Sequence, residues 1–170
     1  MGSLSVPDIN YIEKSNHLAA KEVRWQVVVG RFILGFGSIE WFTFHMLSEL
    51  PTERILESTM SLRFAQRLDM VIQLLQGKNI ESELVDSAIT LLEKARALSK
   101  VRNVIAHSPL FLNLFDDTVG VDLQYQISKF GEIEARLSID DLERHCRDVE
   151  ELDEQLYAIR EKIDNAISRR

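Results

Sequence analysis

Apolar residues recur along most of this chain at helical spacing. From about His17 to Leu50 they are dense, and Pro51 closes the stretch because a residue preceding proline resists helical geometry. Gly30, Gly35 and Gly37 weaken this helix locally, by about 1 kcal/mol each relative to alanine. Gly30 and Gly37 stand seven apart, so they either let another helix approach closely or mark a break. Glu40 lies inside the same apolar region and needs a partner if it is buried. The pattern predicts a second helix from Glu53 to Gln76, with Ser58 to Ser61 as the place for a break and Gly77 as the stop. A third is expected from Glu81 to His107, on a stripe of Leu84, Ala88, Leu91, Ala95, Leu98 and Ile105. One tooth of that stripe is missing, and the residue there is Arg102. Ser108-Pro109 ends the helix.

The period then changes. Val121, Leu123, Tyr125 and Ile127 alternate with polar residues, and Ile133, Ala135 and Leu137 do so again, with Gly131 between the runs. This reads as a β-hairpin, to which Leu110 to Phe115 can add a third short strand. The last helix starts at Ser138, whose hydroxyl can cap the amide near Asp141. Along it Leu142, Val149, Leu156 and Ile163 repeat every seven, with Leu152, Ile159 and Ala166 between them and His145 at their head. Such a seam either joins two chains or forms one wall of a bundle, and the wall is the favoured reading. The expected fold is all-α: an up-and-down bundle of four to five helices, with a small β-hairpin insertion at about 119–137 before the last helix. It forms a single domain over 1–170, with a short flexible N-terminus at about 1–10.

Composition fits that picture, since 45% of the 170 residues are hydrophobic and 28% charged, as in an ordinary globular domain. Three prolines and seven glycines leave little material for a many-turned β-sandwich. The net charge of −7 argues against a generally basic, nucleic-acid-coating surface. That average is uneven, because Asp140 to Asp164 holds ten acidic and four basic residues while Lys94 to Arg102 holds Lys94, Arg96, Lys100 and Arg102 with no acid between them. The most apolar region, Trp25 to Leu47, is interrupted by Arg31, Glu40 and His45, so no membrane span is expected. Neither a signal peptide nor a myristoylation site is read at the N-terminus, where position six is Val6. The lone Cys146 excludes an internal disulfide framework and points to a reducing, cytoplasmic setting.

Chemistry concentrates in Lys100-Val-Arg-Asn-Val-Ile-Ala-His107. On a helix Asn103 and His107 share a face with Lys100, and the long side chain of Arg102 can reach over from the adjoining face. No second histidine or carboxylate stands at ligand spacing from His107, so no metal and no other cofactor is expected. An imidazole can take a proton from a ribose hydroxyl or give one to a leaving oxygen. A guanidinium offers a planar fork of donors to phosphate oxygens and stabilises the charge that develops on them.

At these residues the chain resembles the HEPN superfamily (higher eukaryotes and prokaryotes nucleotide-binding). Arg102-Asn103-Val-Ile-Ala-His107 matches its Arg-x4–6-His signature, with the frequent Asn after Arg, and the likeness extends over about residues 17–167. The resemblance implies a helical bundle that dimerises so that the motifs of two chains face each other. It also implies a metal-independent endoribonuclease that leaves a 2′,3′-cyclic phosphate and a 5′-hydroxyl, often as a toxin or defence effector. On that carry-over Arg102 and His107 are catalytic and Asn103 supports them, while Lys100 and Arg96 are expected to contact RNA. Some HEPN toxins carry a Tyr two residues after the His, where a partner enzyme modifies it. Here Pro109 stands there, so an antitoxin or other protein partner would have to act differently. The hairpin lies outside the minimal HEPN core.

Plainer readings exist for each residue. Arg102 occupies a core-stripe position and can be a structural arginine paired with Glu40. His107 can cap the last carbonyls of its helix. Lys94, Arg96 and Lys100 can be a solvated face, which Arg63 and Arg67 would extend if it contacts RNA. Trp25, Phe32, Phe36, Trp41, Phe42 and Phe44 read as core rather than as a base-stacking platform. For the whole chain the alternative is a non-catalytic HEPN-like module that binds RNA, a nucleotide or a protein. A third reading is a scaffold whose acidic last helix docks a basic partner.

Overall fold

The structure, a computed structural model, describes residues 9–51, 56–117, 120–128 and 136–168. It is an all-α bundle with a small antiparallel sheet inserted before the last helix. The helices are α1 (Ile9–Glu49), α2 (Leu56–Thr59), α3 (Phe64–Gly77), α4 (Ser82–His107) and α5 (Ile139–Ser168). Between α4 and α5 lie the strands β1 (Leu110–Asp117), β2 (Gly120–Ser128) and β3 (Arg136–Leu137). Helix α1 begins eight residues before the expected start at His17 and runs unbroken through Gly30, Gly35 and Gly37. The expected flexible N-terminus falls largely on residues 1–8, outside the described residues.

Helices α1 and α5 pack side by side in the same direction, in one register. Arg24 meets Glu143, Arg31 meets Glu150 and His45 meets Asp164, at 2.7, 2.5 and 3.1 Å. Each pair is 119 residues apart in sequence, so the rungs recur at seven- and fourteen-residue intervals. That is the period at which two helices keep the same faces together. Beneath the rungs Phe32, Phe36, Ile39 and Met46 of α1 are buried with Cys146, Val149, Leu152 and Leu156 of α5. At Gly35 the two backbones come close: an added Cβ would sit 2.7 Å from Val149 Cγ1. The seam expected on the last helix is thus filled within the chain. Ser138 starts α5 by a reciprocal cap, donating its hydroxyl to Asp141 Oδ2 at 2.6 Å while Asp141 N donates to Ser138 Oγ at 3.1 Å.

Helix α4 runs opposite to α5. Its first half, with Leu84 and Leu91, shares a groove with Ile159 and Ala166, whereas Val101 shares one with His145 and Asp148. Helix α3 is antiparallel to α4, tied to it by Arg96–Asp69 at 2.6 Å. It therefore runs in the same sense as α1, and Phe64 at its start packs edge-on to Phe36, with centroids 5.1 Å apart. The expected second helix is broken at 60–63, close to the anticipated Ser58 to Ser61, and that break returns the chain to the middle of α1. On α4 the buried residues are Val85, Ala88, Leu92, Ala95, Leu98 and Ile105. Leu84 and Leu91, expected in the stripe, are half-buried at the groove to α5, one position round from the core-facing Val85 and Leu92.

The sheet has the order β1-β2-β3, and its main pairing differs from the expected one. β1 and β2 form the hairpin, in register from Leu110↔Ile127 to Asp117↔Gly120, whereas β2 and β3 share two pairs, Ile127↔Leu137 and Ser128↔Arg136. The insertion thus starts at Leu110 rather than near 119. Leu110 to Phe115 is almost continuously apolar, so it carries little of the alternation that marks a half-buried strand. The expected strand residues Ile133 and Ala135 lie outside the described residues. Ile127 and Leu137 are buried and anchor the sheet to the bundle.

By length and composition alone, Leu18–Glu49 of α1 could cross a membrane. In this fold Arg24, Arg31, Glu40 and His45 on that stretch are all engaged by charged side chains of α3, α4 or α5. The helix is so apolar because it is apolar on two sides: besides the core face, Val23, Val27, Leu34 and Trp41 are exposed.

Candidate functional site

Helices α1, α3 and α4 enclose a cavity of about 810 Å³ at the level where α3 begins. Phe36 and Glu40 supply the α1 wall, Arg63, Phe64 and Arg67 the α3 wall, and Lys100, Arg102, Asn103 and His107 the α4 wall. The last four are the residues singled out in the sequence, and the helical spacing of α4 brings all of them to one rim. Arg96, also expected there, points elsewhere: it donates to Asp69 at 2.6 Å and to Glu93 at 3.0 Å, clamping α4 to α3. Those two carboxylates hold the Arg96 guanidinium above its ordinary pKa, the Glu93 hydrogen bond most of all. Lys94 faces α5, where it reaches Gln155 at 3.5 Å.

Among the described residues that line the cavity Glu40 is the only acid, against Arg63, Arg67, Lys100 and Arg102. Its two oxygens serve two guanidiniums, Oε2 lying 3.6 Å from Arg67 Nη2 and Oε1 3.4 Å from Arg102 Nη2. The plain expectation that Glu40 pairs with Arg102 therefore holds. One carboxylate cannot neutralise two cations, so this trio alone carries a charge of +1, and Lys100 and Arg63 add to it. The cavity is a positive pocket in a chain whose net charge is −7. Such a local field concentrates anions whatever the sign of the total.

Arg67 and Arg102 play different parts. Arg67 is buried, donates Nε to Thr43 Oγ1 at 3.2 Å and Nη1 to the Leu62 carbonyl at 2.7 Å, and lies 4.2 Å over the Phe44 ring. Thr43 in turn donates to the Glu40 carbonyl at 2.7 Å. Burial pushes the Arg67 pKa down, Glu40 opposes that, and the charge of Arg102 adds to it. Arg67 is a fixed post that holds Glu40 in place. Arg102 is half-exposed at the cavity, and besides Glu40 its contact is Asn103 Oδ1, which accepts from Nη1 at 3.3 Å. Among the described residues these contacts leave it donors for an incoming anion. His107 is exposed at the C-terminus of α4, and among the described residues its ring has no hydrogen-bond partner. It does not act as the helix cap read as its plain alternative. Phe36 and Phe64 give the same cavity an aromatic floor.

Arg67 was anticipated as part of a surface patch; its burial depends on Thr43, Phe44 and Leu62, which no local pattern connects to it. The one available signal was Glu40 itself, an acid in an apolar stretch that required a cation. Trp25, Phe32, Phe36 and Phe42 are core, as expected, whereas Trp41 is exposed. Cys146 is buried and burial raises its thiol pKa, as suits a small apolar residue. Among the described residues no group of three or more His, Cys, Asp or Glu side chains converges as a metal site. Comparison with protein-family models, curated proteins and solved structures finds no match to this chain, so the reading of the cavity rests on its own residues.

Proposed function

We propose that this protein is a HEPN-type endoribonuclease that cleaves RNA without a metal ion, as a cytoplasmic toxin or defence effector. The observation that carries the reading is the meeting of Lys100, Arg102, Asn103 and His107 with a fixed Glu40–Arg67 pair around one positively charged cavity. In this reading a ribose 2′-hydroxyl loses its proton to His107 and its oxygen attacks the adjacent phosphorus. The bond to the 5′-oxygen breaks, and that oxygen leaves with a proton from the His107 of a second copy. The products are a 2′,3′-cyclic phosphate and a 5′-hydroxyl. Arg102 stabilises the extra negative charge on the phosphorane-like transition state, where an oriented donor contributes most. Glu40 aims Arg102, Asn103 steadies it, Lys100 and Arg63 hold flanking phosphates, and Phe64 offers a face for a base.

A second reading, a module that binds RNA or a nucleotide without cutting it, is favoured by the same Glu40–Arg102 contact, because that contact explains Arg102 as an anchor. Arg102→Lys separates the two. It keeps the charge and loses the bidentate fork. Cleavage should fall by a factor of about 100 or more, the scale on which one oriented transition-state donor acts. RNA affinity, read by fluorescence anisotropy on a short labelled strand, should change by less than about fivefold, well under 1.4 kcal/mol. Unaltered cleavage in the variant contradicts the catalytic role. Tight binding with no cleavage by either protein favours the binding module.

A further inference from the structure

The ladder between α1 and α5 lacks one rung. Arg24–Glu143, Arg31–Glu150 and His45–Asp164 stand at levels set by a seven-residue period, and the level between the last two belongs to Ser38 and Tyr157, neither of them charged. There the two helices leave a cavity of about 510 Å³. Leu34, Gly37 and Trp41 line its α1 side, and Asp153, Tyr157 and Arg160 its α5 side. Gly37 widens it, since an added Cβ would meet nothing within 4 Å.

Two opposite charges share this cavity without pairing. Asp153 and Arg160 lie on one face of α5, with α-carbons about 10.5 Å apart along its axis. Both are half-buried, and among the described residues neither side chain has an ion pair or a hydrogen bond. Burial, and after it the charge of Glu154, pushes the Asp153 carboxyl up, as suits an acid with no cation beside it. Arg160 Cζ lies 5.2 Å from the centroid of the Trp41 ring and 4.5 Å from that of Tyr157. Trp41 is itself stacked on His45, with centroids 5.3 Å apart. The two rings hold the guanidinium by cation–π attraction and, among the described residues, leave its N–H donors free.

These charges select the ligand. A plain anion would meet Asp153 inside a helix that holds ten acids against four bases from Asp140 to Asp164, a field that turns phosphates away. A plain cation would meet Arg160. A molecule that carries both charges, spaced to reach each, satisfies the two at once. The Arg160 side chain leans back over Tyr157, toward the start of α5, which shortens the span between the charges. Five methylenes in an extended chain set an ammonium and a carboxylate about 7.5 Å apart. Such a stem covers apolar surface, here Leu34, Gly37 and Leu156, and a planar carboxylate matches the guanidinium fork. We propose that this pocket binds a zwitterion whose ammonium sits on Asp153 and whose carboxylate sits on Arg160: an ω-amino acid or the C-terminal lysine of a peptide. Free lysine fits less well, because Arg160 repels its α-ammonium. The pocket lies on the α5 flank of α1, away from the Glu40 cavity, so the inference is independent of the ribonuclease reading.

The test is an NMR titration at low salt, followed at the Trp41 indole N–H and the Gly37 amide. 6-Aminohexanoate should shift both, with a Kd on the order of 1 mM for so small a ligand. Hexanoate and hexylamine, each lacking one charge, should bind at least about tenfold more weakly, the factor that a hydrogen bond between charged groups supplies. Asp153→Asn should lower the affinity for 6-aminohexanoate to that for hexanoate, and Arg160→Gln should lower it to that for hexylamine. Both positions reach solvent, so the spectra of the variants should match the wild type away from the pocket. A short peptide ending in lysine and its C-terminal amide separate the two sources of the ligand. Tighter binding by the free-acid peptide than by 6-aminohexanoate, with the amide rejected, marks a chain terminus as the ligand; weaker binding marks a free ω-amino acid. The inference is overturned if neither signal moves, if hexanoate or hexylamine binds as tightly as 6-aminohexanoate, or if Asp153→Asn keeps the wild-type selectivity. Tighter binding of guanosine monophosphate also overturns it, by making the pocket a nucleotide site.

Discussion

Two guanidiniums share the Glu40 carboxylate, and the buried one, Arg67, depends on it more than the half-exposed Arg102 does. Glu40→Gln leaves Arg67 without a counter-charge in an apolar setting. Removing one partner of a fully buried pair costs about 3–5 kcal/mol, and solvent reaches Glu40, so the expected loss is about 2 kcal/mol by urea unfolding. A loss below about 0.5 kcal/mol would mean that the trio does not organise the cavity. His107→Ala, at an exposed position, should change stability by less than about 0.5 kcal/mol in the same assay. Together these variants separate the residue that builds the site from the residue offered for chemistry. Lys100, Arg102, Asn103 and His107 were legible as a group because all four sit within two turns of one helix. Arg67 was not, because its surroundings come from α1 and from the break before α3.

The α1–α5 ladder governs the behaviour of the longest elements. The hydrogen bond from Arg31 holds the Glu150 carboxyl below the usual carboxylate range, and the bond from Ser138 does the same for Asp141. Carboxyls depressed in the folded state add stability that is fully present above their unfolded pKa and is lost as pH falls through the folded value. Glu150→Gln should therefore be less stable than the wild type at pH 7, with the difference vanishing below the carboxylate range; thermal unfolding across that window checks the sign. Gly35→Ala trades a gain of about 1 kcal/mol in helix propensity against a clash with a stiff, buried Val149 that costs about 1–3 kcal/mol. A net loss is expected, and a stabilised variant would show that the two helices can part there without cost. The heptad on α5 was visible in the sequence, and so was its wall-like role. That α1 is its partner, 119 residues earlier, was not, because a constant offset between distant segments shows only after they are aligned in space. The β1 strand was underweighted for a related reason: its residues are apolar on both faces, so the two-residue period is weak.

At the scale of the molecule the charges divide. The acidic α5 lies on one flank of α1 and the positively charged cavity on the other, so a polyanion approaches from the cavity side. If Arg63, Lys100 and Arg102 each neutralise one phosphate, the logarithm of RNA affinity should fall with that of salt with a slope of about −2, as expected for three contacts on a single strand. A slope near zero would remove phosphate contact from the account. The most direct measurement is cleavage of a mixed RNA pool in excess EDTA by the wild type and by His107→Ala, prepared in parallel. The account predicts cutting by the wild type alone, with fragments ending in 2′,3′-cyclic phosphate; equal activity in both preparations, or none in either, contradicts it.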